Sequence, residues 1–246
     1  MVESFKAGSD ILLWPPAQYI DVMEEKILNG EVSMERLDDA VSRVWALKEK
    51  LGLFPDQERT PLPDLPENFI HDVARRMSEG CLTLVNNDGG RIPFSKDKVK
   101  NVLVVSVTPD DKSHLEMATI ADAFARRNIT CEVWRDTWYD ALDSKKQAEY
   151  DLIIFAISRL FHHPIGSVDL YGNNALSVWA MHNCDPSKTI AASFGTPYIY
   201  KWFVTDDMYI NAYAPTPELM EAFVAALLGE IPFKGKSPID LRIVMD

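Results

Sequence analysis

The 246-residue sequence predicts an α/β protein, a parallel sheet covered by helices on both faces, preceded by a smaller segment that lacks the strands to complete its own fold. Three observations predict it. From residue 67 onward, short apolar runs alternate with helical patterns. The runs themselves, such as Val102–Val107 and Asp151–Ile157, are apolar almost throughout rather than at every second position, as strands buried on both faces are. Finally, Pro55, Pro61, Pro63 and Pro66 crowd one short acidic stretch and separate that region from what precedes it.

Taken in order, Asp10–Trp14 reads as a short buried strand stopped by Pro15-Pro16. Residues 17–29 read as a helix ending at Gly30. A second helix starts with Ser33 as N-cap, places Leu37, Ala40, Val41, Val44, Leu47 and Leu51 on one face, and stops at Gly52. Beyond the proline stretch come a helix over Glu67–Glu79, a strand over Cys81–Val85, the strand Val102–Val107, and a helix over His114–Arg127. Strands at Thr130–Trp134, Asp151–Ile157, Lys188–Phe194 and Tyr209–Ala212 follow, with helices over Asn173–Asn183 and Pro217–Leu228. Asn87–Gly90 reads as a turn between strands. One strand and two helices cannot bury their apolar faces alone, so the first segment is expected to be a remnant of a larger domain.

Composition narrows the function. Apolar residues make up 47% and charged residues 25%, which is ordinary for a chain with a real core. The net charge of −12 is spread along the chain, and such a surface repels phosphate backbones and anionic headgroups. Nucleic acid is therefore not an expected partner. No apolar run approaches the roughly 20 residues a membrane helix needs, and the first residues carry no signal-peptide pattern. Cys81, Cys131 and Cys184 are odd in number and widely spaced, and are expected to be buried free thiols. No metal-ligand spacing and no glycine-rich phosphate loop is present, so no cofactor is expected.

The residues then resemble a known family. Ala7-Gly8-Ser9-Asp10-Ile11-Leu12-Leu13 resembles the A-G-x-D-x-L-L signature on the last barrel strand of family-3 glycoside hydrolases. Residues 30–54, running from Gly-Glu-Val-Ser through Arg36-Leu37-Asp38 and Arg43 to Leu-Gly-Leu-Phe, resemble that family's barrel exit. Asp72–Cys81 is similar to its second-domain entry, and Leu82–Phe94 to its strand ending in Asn-x-x-x-x-x-Pro-Phe. Ser193–Tyr198 and Gly235-Lys236-Ser237-Pro238 resemble later landmarks. The resemblance implies a bacterial-type, two-domain hydrolase of terminal β-linked sugars, closest to the β-N-acetylhexosaminidase branch. By it, residues 1–54 are the last strand–helix unit of a TIM-type (β/α)8 barrel, 55–66 a linker, and 67–246 a three-layer α/β sandwich with a mainly parallel sheet. In that branch the nucleophilic Asp and the His–Asp acid/base pair lie on barrel segments before the A-G-x-D signature, and no position here matches them. The chain is thus expected to be inactive alone and to partner the remainder of the barrel. A non-catalytic carbohydrate-binding or scaffold module and one half of a split glycosidase are the alternatives. A homo-oligomer through the exposed barrel remnant is also expected.

No catalytic residue is assigned. Trp14, at the rim of the barrel's carboxyl face, could stack on a sugar ring or pack beneath its own helix. Arg159, His162 and His163 follow the Asp151–Ile157 strand, where such folds gather binding loops, and could touch a substrate's acyl or carboxyl group or be solvated. No Glu lies between Tyr150 and Pro217 to act as an acid from that loop. Asp110-Asp111 could do acid/base work or end a strand and begin a helix. His182 and Cys184 are close in sequence, which does not by itself make a thiol–imidazole pair.

Overall fold

The computed structural model describes residues 1–55, 63–138, 140–159, 168–203 and 206–241. The chain falls into two compact units, Met1–Leu65 and Pro66–Asp246.

The described residues of the first unit form three helices, α1 (Val2–Lys6), α2 (Tyr19–Leu28) and α3 (Met34–Lys50). Ser33 caps α3, its side chain accepting Arg36 N–H at 3.1 Å. At the other end Gly52 N donates to Glu49 O and Leu53 N to Lys48 O, both at 3.0 Å, a closure that needs the left-handed φ of 63° found at Gly52. Phe5, Met23, Val32 and Ala40 form the small core. Asp10 joins the two halves of the unit: it accepts from Arg36 Nη2 and Arg43 Nε, each at 2.8 Å. The bonds from Arg43 and then Arg36 hold its carboxyl below the usual range. The A-G-x-D segment and the two arginines of the barrel-exit motif are therefore one ion-pair cluster. Asp10–Trp14, expected as a strand, is irregular backbone among the described residues. A strand needs a ladder partner for its N–H and C=O groups, and the described residues of this unit hold no strand to supply one. Ile11, Leu13 and Trp14 are left exposed.

The second unit is built on a six-stranded sheet of order β1-β6-β5-β4-β2-β3. Its strands are β1 (Thr83–Asn87), β2 (Asn101–Val107), β3 (Thr130–Arg135), β4 (Leu152–Ile157), β5 (Thr189–Ser193) and β6 (Met208–Asn211). β1 runs antiparallel to β6 and all other pairs are parallel. The helices are α4 (Phe69–Cys81), α5 (Asp111–Ala118), α6 (Ile120–Ala125), α7 (Ser144–Gln147), α8 (Asn173–Met181) and α9 (Pro217–Leu227). Successive strand residues go to opposite faces: Val102 and Val104 join a core with Phe124 and Phe223, while Leu103, Val105 and Val107 join one with Val178 and Tyr200. The chain moves outward from β2 to β3 through α5 and α6 on the first face. It then returns across the sheet through α7 and α8 on the second, because reversing direction with one crossover hand requires a change of face.

Several elements differ from expectation in extent. The single helix over His114–Arg127 is two, α5 and α6, separated at Thr119, whose hydroxyl donates to Glu116 O at 2.8 Å and competes with the helical ladder. Cys81 ends α4 rather than opening a strand, and pairing with β6 begins at Thr83. Of the three cysteines, all free, only Cys184 is fully buried; Cys81 and Cys131 are half-buried. Burial pushes the thiols up, Cys131 to about 12 and Cys184 to about 11.

Candidate functional site

In a doubly wound sheet, loops leaving the carboxyl ends of strands that flank the reversal diverge to opposite faces and open a crevice. Here those strands are β2 and β4, with β3 beyond β2. After β2, Asp110 caps α5 by accepting Ser113 N–H at 2.8 Å, and that bond holds its carboxyl below the ordinary range. Asp111 is salt-bridged to Arg135 at the end of β3. The two carboxylates thus start a helix and make an ion pair. The acid/base alternative loses its support.

After β3 the chain turns at Asp136, whose φ of 52° lies in the left-handed region. Its amide donates to Ser106 O at 3.1 Å and its Oδ1 accepts from Asn174 Nδ2 at 2.8 Å. The same Asn174 amide reaches Thr108 O at 3.1 Å, and Thr137 N–H donates to Ser177 Oγ at 2.9 Å. The first turns of α8 therefore tie down the ends of β2 and β3. Beside them lies a cavity of about 310 Å³ lined by Arg135, Asp136, Thr137, Trp138, Asn173 and Leu176. Trp138 is 62% exposed. Sequence reasoning did not single out this group. Its one signal is position: Arg135-Asp136-Thr137-Trp138 sits where β3 stops.

Arg159 lies at the same edge, after β4. Its carbonyl accepts Thr196 N–H at 2.9 Å. Gly195 explains the closeness, since a Cβ there would come within 2.3 Å of Arg159 O. Trp14 belongs to the first unit, with φ 48° and 93% exposure, so it does not pack beneath its own helix. His162 and His163 lie outside the described residues.

A second cavity, of about 300 Å³, opens at the amino edge of the sheet between His182, Cys184, Thr189, Asp206 and Asp207. His182 Nε2 lies 3.7 Å from Asp206 Oδ1, and Cys184 Sγ instead donates to Ala180 O at 3.4 Å. His182 and Cys184 are not a catalytic pair; the thiol is held protonated by burial. Burial, reinforced by the charge of Asp207, raises the Asp206 carboxyl to about 7. Among the described residues, no three or more His, Cys, Asp or Glu converge as a metal site, and no helix is long and apolar enough to cross a membrane.

No family model matches the chain. Among curated proteins it is 26% identical to the β-N-acetylglucosaminidase/β-glucosidase of Cellulomonas fimi over 253 residues, covering 95% of this chain and 44% of that enzyme. The fold matches a family-3 β-N-acetylglucosaminidase from Paenibacillus sp. FPU-7 with a TM-score of 0.64, at 20% identity over 98% of this chain and 47% of the other. The relatives are family-3 glycoside hydrolases. A β-glucoside phosphorylase, BglX, matches with a TM-score of 0.71, at 21% identity over 97% of this chain and 44% of that one. The chain therefore spans less than half the length of these family-3 relatives, and the part it matches is their C-terminal portion. The α/β fold agrees with the fold of those neighbours, as the sequence predicts.

Proposed function

We propose that the chain acts as the C-terminal part of a glycoside hydrolase that cleaves terminal β-linked sugars, β-N-acetylhexosaminides in particular. The observation that carries this reading is the run of likeness to the Cellulomonas fimi enzyme along 95% of the chain. Glycoside hydrolysis needs a nucleophile or base and an acid on either side of the scissile bond. In a (β/α)8 barrel such groups stand at the ends of several strands. No position of this chain matches the motifs that carry them in the family, so the chain alone is inactive. Residues 1–54 act as the last barrel unit, 55–66 as a linker and 67–246 as the sandwich domain. Their partner is the remainder of the barrel, and Trp14, Arg159, His162 and His163 are the residues offered to substrate.

Two features of the first unit support a missing partner: a segment with strand-like sequence and no ladder, and a groove of about 510 Å³ lined by apolar residues including Leu12, Ile20, Met23, Ile27 and Leu28. The test is hydrolysis of p-nitrophenyl N-acetyl-β-glucosaminide and p-nitrophenyl β-glucoside, with and without phosphate. The purified chain is expected to be silent, and turnover is expected when a barrel fragment of the Cellulomonas fimi relative is added. Turnover by the chain alone overturns the proposal.

A further inference from the structure

We propose that the cavity at the carboxyl end of β3 binds a neutral pyranose sugar, with Trp138 as its stacking face and Asp136, Thr137 and Asn173 as its hydrogen-bonding rim. This goes beyond the proposed function: it concerns the second unit alone and stands whether or not the chain completes a hydrolase.

The lining selects the ligand class. A pyranose presents a face of C–H groups and a rim of hydroxyls that both donate and accept. The cavity matches each: an indole that is 62% exposed, a carboxylate that only accepts, an amide that does both, and a hydroxyl. Its volume of about 310 Å³ suits one ring rather than a chain. Other classes fit less well. An anion would need a free cation, yet Arg135 is already paired with Asp111 and Asp136 adds a negative charge. A metal ion would need several converging carboxylates, and among the described residues Asp136 is the one carboxylate in the lining, its Oδ1 taken by Asn174. A wholly apolar ligand would leave the polar rim unpaired.

The site is also held in advance. The left-handed backbone at Asp136 is a sparsely populated conformation for a residue with a side chain. It persists because Ser106 O, Asn174 and the Thr137–Ser177 bond fix it from both sides. Rigid placement of a carboxylate next to an exposed aromatic residue at the carboxyl edge of a doubly wound sheet suits small-molecule recognition.

The full chain would be titrated with N-acetylglucosamine and with glucose, with sorbitol as the acyclic polyol control. Tryptophan fluorescence and the backbone amide shifts of residues 136–138 are the readouts. We expect saturable binding of at least one sugar in the millimolar range. Trp138→Ala should weaken it about ten-fold, Asn173→Ala should weaken it as well, and Trp45→Ala in the first unit should leave it unchanged. Trp138 is exposed enough that its removal spares the fold, and Asn173→Ala gives an independent reading. Three results overturn the proposal: no saturable response to either sugar, a response to sorbitol of the same size, or undiminished binding by the Trp138 variant.

Discussion

Two glycines, Gly195 and Gly235, are there for want of room. A Cβ at Gly195 would fall 2.3 Å from Arg159 O, and one at Gly235 would fall 2.1 Å from Cys81 O and 2.5 Å from Thr83 Oγ1. Backbone oxygens cannot swing aside, so Gly195→Ala and Gly235→Ala should each cost about 1–3 kcal/mol. Gly80, inside α4 with nothing near its missing Cβ, should behave oppositely: Gly80→Ala should gain about 0.5–1 kcal/mol of helix stability. Thermal melts of the three variants check this, and equal effects at all three positions would refute the steric account. Asp206 yields a pH signature. An acid whose folded pKa is raised stabilises the fold while protonated, fully below the unfolded value near 3.8, and loses that contribution as pH rises through about 7. The titratable groups near it include His182, Tyr209 and Asp207, the last bound to Arg91 at 2.8 Å. Asp206→Asn, which cannot ionise, should therefore raise Tm at pH 8, with the gain fading toward pH 4. A gain independent of pH would assign the effect to packing instead.

At the scale of elements, what was legible in the sequence is what local chemistry decides. Ser33 caps its helix as its residue type and position imply, and the last helix starts at Pro217 as expected, with Thr216, not singled out in the sequence, as its cap. β2 and β4 are strands because Val102–Val107 and Leu152–Ile157 have no polar face to offer water. The failures have a common cause in partnership. Asp10–Trp14 has a strand's composition, but its ladder depends on neighbours that the described residues of the first unit do not supply. The short helix α7, capped by Asp143, carries too few apolar residues to show a period. The candidate sugar cavity was illegible for the same kind of reason. It joins residues after β3 to the start of α8, about forty positions apart, and no local pattern announces that Asn174 will hold Asp136. Only the general rule about carboxyl edges pointed there, and it pointed equally to Arg159.

For the whole molecule, the two units differ in how completely each buries its apolar surface. The second has two cores packed on opposite faces of one sheet. The first leaves Ile20 77% and Leu28 81% exposed in the lining of its apolar groove, and Leu13 and Trp14 are exposed as well. Surface of that kind is removed from water by any available partner, worth about 25 cal/mol per Å² buried. In a solution of the 246-residue chain by itself the available partner is another copy. A net charge of −12 opposes that association, and salt screens the repulsion while leaving the apolar term intact. Self-association should therefore strengthen as ionic strength rises toward about 0.15 M, the reverse of an interface held by ion pairs. Sedimentation velocity over a concentration series at two salt levels would measure it. Replacing Leu13, Trp14, Ile20 and Leu28 together by Ser should return the chain to a monomer without lowering the melting temperature of the second unit. A wild-type chain that stays monomeric at every concentration, or one that dissociates as salt is added, would show that this surface is not what drives assembly.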